Sequence, residues 1–247
     1  ANLQIEFRKN YPNLRIREQL FKGTFIERPN RFLTIVDVEG SVVESHLPDP
    51  GRLKELLTPG AELYVSFVPK TSHRKTQYTT WMVRYNGTLV SLVSALPNQF
   101  VKEALESGEL SMFTDYKMIR PEYTVGRHRF DFLLEDSDKH EFYLEVKSVT
   151  YVENGIAEFP DAVTERGRRH AMALQKLVES GKRAGILFVC QRPDAHEFRP
   201  MWDRDPKFGK ALQSAFKAGV RIWCITVNVT LEEITFLREI PVNLNID

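Results

Sequence analysis

Cysteine is scarce in this chain: 247 residues hold two, Cys190 in GILFVC and Cys224 in RIWCITV, both inside apolar runs. Two such residues build no disulfide framework, and buried free thiols are their expected state. Also missing is any run near the roughly 20 consecutive apolar residues that a membrane span requires. The opening stretch ANLQIEFRKNYPNLRIREQL carries charges where a secretory signal would be apolar, so the expected location is the cytoplasm, with no membrane partner. Without secretion, NGT at Asn86 and NVT at Asn228 carry no weight as glycosylation motifs. A large excess of one charge is lacking too: 34 Lys and Arg against 33 Asp and Glu leave +1, which argues against a wholly cationic protein. With 42% hydrophobic and 27% charged residues, the chain can bury the core of one large domain or two ordinary ones.

One absence is local. From Leu63 to Lys102 there is no Asp or Glu, while Lys70, His73, Arg74, Lys75 and Arg84 gather beside Tyr78, Trp81 and Tyr85. Cations interleaved with aromatics suit a nucleic-acid backbone and its bases, although the aromatics serve equally well as a barrel core. A second basic cluster, TERGRRH at 164–170, follows an acidic strand, and cations flanking acids provide the field that an anionic substrate needs at a metal site.

Periodicity divides the chain. LFKGTFIE, RFLTIVDV, SVVESHL, ELYVSFV, TTWMVRY and TLVSLVS read as short strands, with YNGT a two-residue hairpin. HLPDPGRLKELL interrupts them as a short helix, with Asp49 as N-cap, Pro50 at the first position and Leu53, Leu56 and Leu57 on one face. That order is the order of an OB-type β-barrel. Beyond SALPNQF the pattern becomes a helix capped by Asn98 and stopped at Gly108, three strands with a turn at Gly126, and a helix over 163–179. The strand AGILFVC, a helix over 207–218 and the strand GVRIWCITVNV follow. The expected fold is α+β with two domains: an OB-fold-like nucleic-acid-binding domain over 1–86 and an α/β domain with a mixed sheet over 87–247.

The chemistry lies in RFDFLLEDSDKHEFYLEVKSVTY, residues 129–151. Side chains alternate along a strand, so Glu145 and Lys147 share a face, and antiparallel pairing brings Asp131 to the same face. Adjacent carboxylates repel unless a cation lies between them or one holds a proton, and oxygen ligands on rigid strands suit Mg²⁺ or Mn²⁺. Lys147 beside them would orient or deprotonate a water attacking phosphorus. A cross-strand salt bridge explains only two of the three residues.

Asp131, about a dozen residues, then Glu145-x-Lys147 resembles the pattern of PD-(D/E)xK nucleases, with Phe130 in place of the proline. GTFIERPNRF, HLPDPGRLKELLTPGA, LPNQFVKEAL, RFDFLL, LEVKSVTY, FPDAVTERGRRH and DPKFGKAL look like the sugar fermentation stimulation protein (SfsA) family over nearly the whole chain. His128 departs from it, standing where a serine would precede RFDF. The resemblance implies an OB-type domain joined to a PD-(D/E)xK nuclease-like domain in a bacterial or archaeal DNA-binding protein linked to sugar metabolism. In the nuclease superfamily a further acid often comes from the first helix, which makes Glu103 a candidate metal ligand; Glu122 on the first strand of the hairpin competes with it.

Candidate nucleic-acid contacts are Arg52, Arg74, Lys75, Arg129, Arg166, Arg168 and His170. Arg166 and His170 lie one helical turn apart, and Arg129 shares the strand face of Asp131. The expected function is a Mg²⁺- or Mn²⁺-dependent nuclease acting on DNA, with Asp131, Glu145 and Lys147 catalytic; a homodimer would serve both strands. A non-catalytic DNA-binding regulator that keeps the nuclease fold stays open, as does an interaction module with a buried salt bridge.

Overall fold

Strand alternation is visible at once in the first half of the chain, where Thr34, Val36 and Val38 are buried while their neighbours are partly exposed. The computed structural model describes residues 13–69 and 74–246, so Lys70 and His73 of the basic segment lie outside the described residues. After β1 (Asn13–Arg15), the strands β2 (Leu20–Asn30), β3 (Leu33–Val38) and β4 (Ser41–His46) form an antiparallel meander. β5 (Glu62–Phe67) pairs with β2, and β6 (Tyr78–Tyr85) with β5. Parallel pairing of β4 with β6, Ser45 to Tyr78 and His46 to Thr79, closes a five-stranded barrel of OB topology. Buried hydroxyls satisfy one another near this closure: Thr80 Oγ1 lies 2.7 Å from Thr34 Oγ1 and 2.8 Å from Ser45 Oγ. Asn86 and Gly87, both with positive φ, turn β6 back into β7 (Thr88–Ser91).

The expected helix in HLPDPGRLKELL is absent. Residues 54–56 form a single turn in which the Leu56 and Leu57 amides donate to the Leu53 carbonyl. Leu53 has φ +52°, outside the right-handed helical region, and its N–H donates not within the segment but to Asp161 Oδ2 at 2.7 Å. Asp49 accordingly caps no helix; its Oδ1 accepts the Gly51 amide at 2.7 Å, closing a tight turn. A Cβ on Gly51 would sit 2.9 Å from Asp49 Oδ1 and 3.0 Å from Asp161 Oδ2, so any larger residue would have to displace carboxylates that hold this loop. Arg28 fastens the loop by donating to the carbonyls of Arg52 at 2.6 Å and Arg31 at 2.8 Å.

The second half begins with α1 (Leu96–Ser107), which starts at Ala95 with Pro97 in its first turn and ends at Gly108 in the left-handed conformation. Asn98 thus lies inside the helix and does not cap it. A β8–β9 hairpin (Tyr116–Val125, His128–Asp136), β10 (Glu141–Val149), and the short β11 (Tyr151–Glu153) and β12 (Ile156–Phe159) follow. Next come α2 (Glu165–Glu179), β13 (Arg183–Cys190), β14 (Glu197–Pro200), α3 (Pro206–Ala218), β15 (Arg221–Val229) and β16 (Glu233–Ile240). β1, β11, β12, β14 and β16 were not legible as strands in the sequence.

One mixed seven-stranded sheet has the order β1-β16-β15-β13-β10-β9-β8, with β10, β13 and β15 parallel at its centre. One face, through Phe142, Leu144 and Val146, packs on α1 and on Tyr64, Trp81 and Met82 of the barrel wall. The other, through Tyr143, Ile186 and Phe188, packs on α2 and α3. Cys190 and Cys224 are buried free thiols. Among the described residues no helix is long and apolar enough to cross a membrane.

Candidate functional site

Pairing of β9 with β10 runs from Glu135–Glu141 to Phe132–Leu144 and stops there, one residue short of Asp131 and Glu145. Where the strands part, the Val146 amide donates to Asp131 Oδ2 at 2.7 Å, and the Asn98 amide of α1 donates to Asp131 Oδ1 at 2.7 Å. Both oxygens of Asp131 are thereby fixed in direction. Burial, and then the neighbouring Glu145, push its carboxyl up to about 6.

Glu145 points to the α2 side of the sheet and is 3% exposed. Its Oε1 accepts from Lys147 Nζ at 2.5 Å and from His170 Nδ1 of α2. Burial alone would raise this carboxyl, but His170 and Lys147 outweigh it and hold it below the usual carboxylate range. Its second oxygen, Oε2, is buried and has no hydrogen-bond partner among the described residues. An ionised oxygen left this way in the interior is costly unless a cation or a donor meets it.

These residues open onto a cleft of about 760 Å³ between the barrel and the second domain, lined also by Arg31, Asp49, Glu122, Glu158, Asp161 and Arg166. Glu122 reaches it because the pairs Pro121–Phe132 and Tyr123–Phe130 bracket Glu122 and Asp131, placing them opposite each other. Its φ of +53° follows a register shift between Met118 and Arg120. Asp161, besides holding the Leu53 amide, accepts from Arg204 at 2.6 Å. Asp49 is deeply buried, and burial pushes its carboxyl up to about 6. The cleft holds more acids than bases, so a polyanion entering it needs added positive charge.

The other expected site residues are scattered. Glu103 lines a separate groove with Arg15, Arg17 and Trp81. His170 is buried against Glu145 and touches no open surface of the cleft. Arg168 pairs with Glu165 at 2.8 Å. Arg52 is exposed with its carbonyl tied to Arg28, Arg74 donates to Thr79 Oγ1 at 2.5 Å, and Lys75 and Arg129 are exposed. Trp81 is barrel wall, its Nε1 bonded to Ser66, and Tyr85 carries Arg192 over its ring. Those two aromatics are thus occupied by the fold. The sequence reading missed Asn98 and Asp161 as site residues; an asparagine inside the first turn of a helix, where it stabilises little, was the available signal. Asp136, Asp138 and His140 bring ligand atoms within 4.8 Å of one another, but they sit in the β9–β10 turn, where Asp136 already pairs with Arg183 and His140.

Comparison with known proteins agrees with this architecture. A family model described as the SfsA N-terminal OB domain matches residues 26–92, and one described as the sugar fermentation stimulation protein RE domain matches residues 95–233. A sugar fermentation stimulation protein homolog from Acetivibrio thermocellus is 45% identical over 232 residues, covering 93% of this chain and 99% of the relative. One from Moorella thermoacetica is 41% identical over 225 residues, covering 91% and 97%. The structure of Pyrococcus furiosus SfsA in complex with Ca²⁺ superposes with a TM-score of 0.84 at 30% identity, covering 93% of this chain and 99% of that one. The chain belongs to the sugar fermentation stimulation protein family.

Proposed function

We propose that the protein hydrolyses phosphodiester bonds in DNA with the help of a divalent cation, Mg²⁺ or Mn²⁺. The observation that carries this reading is Glu145 Oε2, buried and without a partner in a cleft that Asp131 shares, while Oε1 is already held by Lys147 and His170. Hard carboxylate oxygens on fixed strands fit such an ion. The Ca²⁺ complex of the Pyrococcus furiosus relative supports a divalent ion in this family. When bound, the ion supplies Lewis-acid stabilisation of charge at the phosphoryl oxygens.

The chain's own residues do the rest. Asp131 and Glu145 hold the cation; Glu122, opposite Asp131, is the candidate for a further ligand. Lys147 spends one of its three N–H donors on Glu145 and has the others to orient a water for in-line attack. Arg166, Arg31 and the N-terminus of α2, capped by Thr164, line the same cleft and provide positive potential for flanking phosphates. In this reading the barrel, with β7, forms the nucleic-acid-binding domain, and the α/β domain, whose sheet also takes in β1, is the cutting domain.

The test is cleavage of labelled single-stranded and duplex DNA with Mg²⁺ or Mn²⁺, beside an EDTA control and the Asp131→Ala and Lys147→Ala proteins. Metal-dependent cleavage that falls by about a hundredfold or more in both variants is the expected result. Salt-dependent DNA binding with no cleavage by any of the three proteins would replace the nuclease with a DNA-binding regulator.

A further inference from the structure

Between α2 and the β8–β9 hairpin lies a second pocket of about 370 Å³, sharing no lining residue with the cleft. Its inner wall is aromatic: the His128 and Phe130 rings stack with centroids 6.4 Å apart and planes at 24°. Met172, Ala173 and Leu177 of α2 supply an aliphatic wall, and Met172 is 47% exposed. Arg169 and Lys176 complete the lining, both exposed and neither in an ion pair among the described residues. Among the described residues no carboxylate lines the pocket. Burial and then the nearby His170, Arg169 and Lys176 hold the His128 imidazole below its usual range, which agrees with a positive field that no acid neutralises.

Small-molecule sites are concave and mostly apolar, with a few polar groups that fix orientation, and they span roughly 300–1,000 Å³. A helix, about 10–12 Å across, does not enter a pocket of this size. A second copy docked with this pocket on its two-fold axis would bring the Arg169 and Lys176 cations of both copies together, like charge on like. The geometry points to a binding pocket for a small amphipathic anion: a flat aromatic body on His128 and Phe130, with one carboxylate, sulfonate or phosphate on Arg169 and Lys176. This site does not depend on phosphodiester hydrolysis. It adjoins the cleft's support, since the His128 and Phe130 rings each lie 6.2 Å from the ring of His170.

Anilinonaphthalene sulfonate is the probe, titrated into the folded full chain and followed by fluorescence and by the histidine ring resonances. The expected result is saturable one-to-one binding that shifts His128. In Arg169→Glu/Lys176→Glu the dissociation constant rises by about tenfold or more, as two charge reversals beside an anion require. Lys102→Glu/Lys210→Glu, with the same change in net charge at exposed positions elsewhere, binds as the parent does. Phenylnaphthylamine, which has the rings without the sulfonate, binds the parent more weakly and is indifferent to the reversal. Non-saturable binding, a pocket variant that binds as tightly as the control variant, or equal affinity for the uncharged probe would each overturn the assignment.

Discussion

Glu145 shows what a single residue does here. Two donors converge on one of its oxygens and, among the described residues, none on the other, which leaves that oxygen open to a cation under the proposed function. Calorimetry with Mn²⁺ and with EDTA should show a melting temperature that rises with metal in the parent and does not in Glu145→Gln. Asp49 carries a different signature. Its folded carboxyl, pushed up to about 6 by burial, keeps a proton that the unfolded chain releases near pH 4. Because the folded state binds more protons in that window, stability is greatest below it, falls as pH rises through 6 and levels off above. The difference is about 3 kcal/mol at most. Asp49→Asn keeps the acceptor for the Gly51 amide and should reduce the fall measured by urea titration between pH 4 and 6; Asp131, Glu55 and Glu158, shifted the same way, contribute to what remains.

Among the elements, α2 bears most directly on the site, because its first turn lines the cleft and His170, further along it, grips Glu145. Thr164 accepts the Gly167 amide at 3.0 Å, and Thr164→Ala should cost about 1 kcal/mol in chemical denaturation. It should also loosen Arg166 and, under the proposed function, weaken DNA binding, with the fold otherwise intact. This helix was legible in the sequence to within two residues, as was the Glu145-x-Lys147 strand, because period and turn chemistry are local. The segment from Asp49 to Leu57 was not legible. Its leucine spacing and its Asp-Pro start read as a helix, yet an acceptor 108 positions away takes the Leu53 amide and holds a left-handed backbone. Asn98 was misread as a cap for a related reason: nothing in α1 itself says that Asp131 waits opposite its first turn. Glu103 was plausible by position alone, but the face of α1 that meets the site is chosen by how the helix packs on the sheet and the barrel.

At the scale of the whole molecule, the cleft exists because the barrel and the sheet are fastened together, and Asp161 is a principal fastening. One carboxylate serves the Leu53 amide of the barrel's loop and the Arg204 guanidinium of its own domain. Asp161→Ala leaves that amide without its acceptor, at a cost of roughly 1–3 kcal/mol, and leaves Arg204 the backbone carbonyl of residue 161 and the Tyr151 ring. Hydrogen exchange at Leu53 should accelerate about tenfold or more, while amides of the barrel core keep their protection. Should the exchange rate stay as in the parent, the loop is held by Arg28 alone.

The kinked strand that carries Glu122 has an effect beyond the site. β8 is an edge strand of the seven-stranded sheet, so one side of its backbone pairs with no other strand among the described residues. Pro121 offers no N–H, the register slips at Met118–Arg120, and exposed Lys117 and Arg120 keep a stranger at a distance. Straightening that strand would offer a second chain an edge to add to.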